Sequence, residues 1–251
     1  EIYWVSIVGN TIWKFKRGVG LEVVMRPSFK ANGMTFDREG RLVVAGWSWR
    51  RVWRREHDGS ISTLCSHYQG KKINGPNDIV VKSDGSIYFT DPGGNAAPEQ
   101  WDVTISGVYR VSADLGSMSL IVDDMVRPNG LAFSPDESIL YVADSRRRHV
   151  RAYDMLPNGT VAKETSRVFA DLNGSEPGVP DGIKLDTSGN LYSGGSGGLF
   201  VIDPKGKKLG RIVHGQPATT NVAFGGDDWK TLYFTTRSTL FSVGVKIAGV
   251  P

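Results

Sequence analysis

Three polar residues, Asn77, Asn129 and Asp181, each follow a proline and precede a small or polar residue, in Pro76-Asn77-Asp78, Pro128-Asn129-Gly130 and Pro180-Asp181-Gly182. Two amide oxygens and one carboxylate make an all-oxygen donor set. Such a set suits a hard divalent cation such as calcium and leaves positions for water or substrate. The plainer use of these side chains is local, since Asn and Asp at a corner bond the backbone N–H groups of their own turn. On residue type and spacing the two uses stand level. Asp181 is the one carboxylate of the three, which makes it the candidate general base as well as a ligand, kept ionised by adjacent positive charge. Asn129 is the second candidate for catalysis, by holding the substrate ring, and Asn77 is a candidate for contact with substrate.

The stretches that must position these residues repeat. Each corner opens a short apolar strand that turns at a polar Asp- or Gly-containing bend and returns through a second strand, as in Ile79-Val80-Val81, Ser83-Asp84-Gly85 and Ile87-Tyr88-Phe89. The leading polar residues of five such copies stand at 32, 77, 129, 181 and 221, spaced 45, 52, 52 and 40 apart. That is the period of a four-stranded blade rather than of a helical pair. Thirty-one glycines and twelve prolines are spread along 251 residues, and no stretch keeps a helical period of useful length. The expected fold is all-β, a six-bladed β-propeller formed by residues 1–251 as a single domain. No asparagine-led corner precedes the strand at residues 2–7, so the first blade is expected to lack its innermost strand. The sixth shows no clear fourth strand, and a closed ring would let one end of the chain complete the other.

In a propeller the innermost strand of every blade starts near one face of the central channel, so Asn77, Asn129 and Asp181 are expected to converge there. Loops joining the second and third strands open on the same side. The longest, residues 92–106, contains Gly93-Gly94-Asn95 and Trp101 and is expected to form a lid or substrate wall. Trp47, Trp49 and Arg50, in the corresponding loop of the second blade, are candidate walls with Trp101.

The formal charge of +4 is modest, and the basic residues gather only at Arg50-Arg51 with Arg54-Arg55 and at Arg146-Arg147-Arg148. Both knots lie beside strands, where solvated edges are the expected reading, and no nucleic-acid partner is expected. A single cysteine, Cys65, excludes an internal disulfide, and its apolar run Ile61-Ser62-Thr63-Leu64-Cys65 marks it as an inert buried thiol. His57, His67 and His214 are expected to be peripheral; His149 follows the arginine knot near the channel mouth. None is expected to be catalytic. No signal or membrane span is visible. The expectation is a cytoplasmic monomer or weak homo-oligomer without a membrane partner, a periplasmic or secreted location staying open because a cleaved signal leaves no trace.

Gly75-Pro76-Asn77-Asp78, Tyr88-Phe89-Thr90-Asp91-Pro92, Arg127-Pro128-Asn129-Gly130-Leu131-Ala132-Phe133-Ser134 and Val179-Pro180-Asp181-Gly182 resemble the motifs of the gluconolactonase, senescence-marker-protein and luciferin-regenerating-enzyme family over nearly the whole chain. The resemblance implies a six-bladed propeller with one divalent metal at the axial site that hydrolyses sugar lactones. It implies Asn77, Asn129 and Asp181 as ligands, and a Lewis-acid mechanism in which the lactone carbonyl is polarised and the oxyanion stabilised when water attacks. Calcium is the first expectation; zinc, magnesium, manganese and iron also suit an oxygen-rich site. The family's fourth ligand is a glutamate in a Glu-Gly-Pro motif upstream of a segment resembling residues 2–7, and Glu1 does not lie in such a motif. Two alternatives stay open: an organophosphate or aryl-ester hydrolase on the same site, and a non-catalytic propeller that binds a ligand.

Overall fold

β-Branched and aromatic runs separated by Gly- and Asp-containing turns fold as successive antiparallel hairpins. The computed structural model describes residues 1–94 and 97–250, so Asn95 of the long loop lies outside the described residues. The fold is a six-bladed β-propeller.

The chain divides into two compact units, Glu1–Met125 and Val126 onward. In the first unit, blade one holds Ile2–Ser6, Thr11–Lys16 and Gly20–Met25; blade two holds Met34–Phe36, Leu42–Gly46, Arg51–Arg55 and Ile61–Cys65; blade three holds Ile79–Val81, Ile87–Asp91, Gly107–Val111 and Met118–Val122. In the second unit, blade four holds Pro128–Phe133, Ile139–Asp144, His149–Met155 and Val161–Asp171; blade five holds Ile183–Leu185, Leu191–Gly195, Gly198–Ile202 and Lys208–Ile212; blade six holds Thr219–Gly225, Thr231–Thr236 and Leu240–Gly244. Strands follow one another in sequence order in every blade. Among the described residues the first and last blades have three strands each. Among the described residues the remaining elements are a small hairpin of His67–Tyr68 with Lys71–Lys72 and a 3-10 turn at Pro98–Gln100. No helix among the described residues is long and apolar enough to cross a membrane, which says nothing of a β-barrel.

Burial follows position within the blade. The second strands Leu42–Gly46, Ile87–Asp91 and Leu191–Gly195 are buried along their whole length, as strands covered on both faces must be. The outermost Lys208–Ile212 is almost wholly exposed. Val43, Val52, Ile79, Phe89 and Tyr109 anchor the core of the first unit. Tyr141, Val150, Leu172, Ile183 and Leu191 anchor one core of the second, and Leu199, Phe224 and Phe234 another.

The two ends of the blades are built differently. At one end each hairpin closes on its own Asp or Asn: Asp37 accepts from the N–H of Glu39 (3.0 Å), Asp84 from Ser86 (2.8 Å), Asp136 from Ser138 (3.1 Å) and Asn158 from Thr160 (3.0 Å). At the other end neighbouring blades are joined through backbone. Gly33 donates its N–H to the carbonyl of Asn77 (2.7 Å), Gly130 to that of Asp181 (3.1 Å) and Gly182 to that of Thr220 (3.1 Å). The corner residues singled out by type are thus the points at which one innermost strand is tied to the next.

Candidate functional site

In the second unit, one hydroxyl links the Asn129 side chain to the residue before Asp181. Pro128 pairs with Asp144, and the register then shifts before Leu131, so that Asn129 and Gly130 leave the ladder as a bulge. Fully buried Asp144, at the end of its strand, accepts the N–H groups of Val126 (2.9 Å), Arg127 (3.2 Å), Arg146 (3.0 Å) and Arg147 (3.0 Å). This fixes both the corner that carries Asn129 and the turn that follows. The next residue, Ser145, is buried; its Oγ receives Nδ2 of Asn129 at 3.0 Å and donates to the carbonyl of Pro180 at 2.6 Å. The Asn129 amide therefore has its nitrogen toward Ser145 and its oxygen on the opposite side.

The first unit builds its corner on the same plan. Asp91 accepts the N–H groups of Gly75 (2.9 Å) and Gly93 (3.0 Å) on one oxygen and that of Asn74 (2.7 Å) on the other. Burial pushes its carboxyl above the ordinary range, against the opposing pull of these three N–H groups. Asn77 is half-buried, and its N–H is bonded to the carbonyl of Thr90 at 2.8 Å. Asp91 and Asp144 both end a second strand in parallel wording, Tyr88-Phe89-Thr90-Asp91 and Tyr141-Val142-Ala143-Asp144. That signal is present in the sequence, but a choice of corner residues by type passes over it.

The candidate walls divide. The Trp47 indole packs on Gly75 and Gly94: a Cβ on Gly75 would lie 2.8 Å from Cδ1 of Trp47 and 2.8 Å from the Gly94 Cα. Trp101 covers Gly93, where a Cβ would fall 1.9 Å from its ring. Both indoles therefore flank the Gly93-Gly94 turn, which Asp91 ties to the corner of Asn77. Arg50 donates to the carbonyls of Ile73 (2.8 Å) and Lys72 (3.3 Å) and pairs with Asp102, so its guanidinium holds the long loop. Asn74 adds a second anchor by donating to the carbonyl of Val103 at 2.6 Å. Trp49 belongs to packing: it stacks on Phe29 at 4.2 Å, meets Trp53 edge-on at 6.1 Å and lies under the Arg51 guanidinium at 4.5 Å.

Cys65 has its thiol pushed up to about 12, chiefly by burial, which suits an inert thiol. His57 is exposed, as is His67, whose Nδ1 meets the Ser66 hydroxyl at 2.9 Å. His214 accepts the N–H of Gln216 on Nδ1 (3.2 Å), meets Thr219 Oγ1 through Nε2 (2.8 Å) and lies against Phe234 and Phe241. Burial lowers its pKa, and that of His149, where Asp144 opposes the effect. A lowered folded value means that the unfolded chain binds the proton more tightly. Stability is then complete above the unfolded value of about 6.5 and is lost as pH falls below it. Thermal melts from pH 8 to pH 5 are expected to show a falling midpoint, with a shallower fall in His214→Phe, which keeps the ring stack. Equal slopes in the two proteins would refute this assignment.

The donor set fits a divalent cation. Asn129 turns an amide oxygen away from Ser145, and half-buried Asp181 supplies a carboxylate at the corner before Ile183–Leu185, where its carbonyl receives the Gly130 N–H and that of Pro180 the Ser145 hydroxyl. Among the described residues no group of three or more His, Cys, Asp or Glu side chains is arranged to hold a metal, and a set of two amides and one carboxylate is outside that class.

The family model described as SMP-30/gluconolactonase/LRE-like region matches residues 1–238. A gluconolactonase of Zymomonas mobilis is 30% identical over 267 residues, covering 96% of this chain and 74% of that protein. A pentonolactonase of Haloferax volcanii is 26% identical over 244 residues, covering 94% and 77%. A solved structure of a gluconolactonase from Xanthomonas campestris superposes with a TM-score of 0.87 at 30% identity, covering 96% of this chain and 81% of that one. The chain belongs to the SMP-30/gluconolactonase/LRE-like family.

Proposed function

We propose that the protein is a divalent-metal-dependent hydrolase that opens a sugar lactone, with Asn77, Asn129 and Asp181 as the metal ligands and calcium as the first candidate ion. The observation that carries this reading is the Asn129–Ser145–Pro180 bridge, which turns the amide oxygen of one proposed ligand away from Ser145 and holds the residue before the other. Relatives named gluconolactonase and pentonolactonase, aligned over 96% and 94% of the chain, support a sugar lactone as the substrate class. The all-oxygen donor set that the three residues share supports a divalent ion.

Asn77, Asn129 and Asp181 would hold the cation, which when bound would supply Lewis acidity for the lactone carbonyl. Asp181, the one carboxylate of the set, takes the proton of the attacking water, and the Asn129 amide fixes the substrate ring. Trp47 and Trp101 form the aromatic wall beside the corner of Asn77. Arg50 keeps that wall in place through Asp102 and the carbonyls of residues 72 and 73.

The test is hydrolysis of a gluconolactone and a pentonolactone by metal-stripped protein, followed in a pH-stat as calcium, magnesium, manganese, zinc or iron(II) is restored. Turnover that returns with the ion is expected. An aryl ester and an organophosphate in the same panel separate the substrate classes. Rates equal to the buffer background with every ion would refute the reading and leave a ligand-binding propeller.

A further inference from the structure

The bridge at Ser145 does more than fill a corner. Its backbone N–H is fixed on the carbonyl of Arg127 at 3.1 Å, and its neighbour Asp144 holds the N–H groups on both sides, so the position of Oγ is set by the main chain. From that position the one hydroxyl meets two partners on different blades. It accepts from the Asn129 side chain at 3.0 Å and donates to the carbonyl of Pro180, the residue before Asp181, at 2.6 Å. With its proton directed to Pro180, the hydroxyl can only accept from the Asn129 amide, which determines which end of that amide faces away.

The corner of blade three lacks this device. Asp91 there does for Asn74 and Gly75 what Asp144 does for Val126 and Arg127, and the residue after it is Pro92, which has no hydroxyl. Ser145 is therefore not a general requirement of the blade corner.

We propose that Ser145 is a positioning residue for the metal site: it sets the amide orientation of Asn129 and the approach of Asp181 together, so that the two ligands are held as one unit. This rests on the metal-ligand reading of Asn129 and Asp181 above. Partners that orient metal ligands typically change affinity by about 10- to 100-fold when removed. Ser145→Ala is expected to weaken calcium binding by about that factor.

The experiment is calcium titration by calorimetry on the full chain, with melts of each metal-free protein alongside. Parent, Ser145→Ala and the volume-matched pair Ser145→Thr and Ser145→Val are compared, and Ser145→Ala is also made in an Asn129→Ala background. Thr is expected to bind within about threefold of the parent, and Val to fall with Ala. The Ala substitution is expected to weaken binding less when Asn129 is already absent, because the two act through one bond. A role confined to folding would lower the metal-free melting temperature and leave the calcium affinity of the folded protein unchanged. Calcium binding in the parent with equal affinity in the Ala variant, or in Val and Thr alike, would overturn the positioning role alone. The Thr and Val pair decides the matter if Ser145→Ala does not fold. A parent that binds no divalent ion would overturn the metal-site reading and this one with it.

Discussion

Asp181→Asn is expected to reduce lactone hydrolysis by at least about a thousandfold, or about 4 kcal/mol of transition-state stabilisation, while leaving the protein folded. The substitution is close to isosteric, yet it removes the only negative charge among the three proposed ligands and the only group among them able to accept a proton from water. The bond that holds the fold at this point is made by the main-chain carbonyl of Asp181, which receives the Gly130 N–H and is untouched by the change. Activity and stability should therefore separate. Calcium affinity should fall with activity, whereas the metal-free melting temperature should stay near that of the parent. Turnover within tenfold of the parent would remove Asp181 from both assigned roles.

Gly130→Ala should have the reverse signature, a loss of stability from a change of one methyl group. A Cβ at position 130 would lie 2.2 Å from the carbonyl oxygen of Asp181 and 2.7 Å from both the Gly182 Cα and the Ile183 nitrogen. All three are backbone atoms that cannot rotate away. The corner at 181–183 must move, and the bond from Gly130 to Asp181 lengthens or breaks. Overpacking of this kind costs about 1–3 kcal/mol or more, and the loss of a buried hydrogen bond adds about 1–3 kcal/mol. A fall in melting temperature of roughly 10 °C is expected for a chain of this length. Gly210→Ala is the control: a Cβ there meets nothing within 4 Å, and its effect should stay within about 0.5 kcal/mol. Coincident melts for parent and Gly130→Ala would contradict the close approach of the two blades.

The blades were legible because the corners repeat. Proline and a polar residue recur at a steady interval, and each apolar run after them has the length of a strand. What the pattern missed is short or interrupted. The His67–Lys72 hairpin offers two residues on each side, mostly polar, and has no periodicity to detect. Val161–Asp171 contains the polar run Lys163-Glu164-Thr165, which resembles a loop; two register shifts let the strand continue through it. The corner residues were readable as candidate ligands from their type alone. Asp91, Asp144 and Ser145 were not, because what they do depends on N–H groups, a side chain and a carbonyl that only the folded chain brings within reach. Arg50 was read as a pocket wall from its neighbours Trp47 and Trp49. Its actual partners, the carbonyls of Lys72 and Ile73 and the carboxylate of Asp102, lie on other loops and leave no local trace in the sequence.

The unlike ends of the blades also decide where the chain can be cut. The Asp and Asn turns at 58, 84, 114 and 158 each satisfy their own backbone within a few residues. New termini, an inserted tag or a fused domain at such a turn would disturb only that turn. The corners at 33, 130 and 182 share each peptide between two blades, so a circular permutant opened there would release a neighbour as well. Each of these blades thus has one end open to rearrangement and another at which its strand cannot be redrawn without its neighbour, and the proposed ligands stand at corners of the second kind.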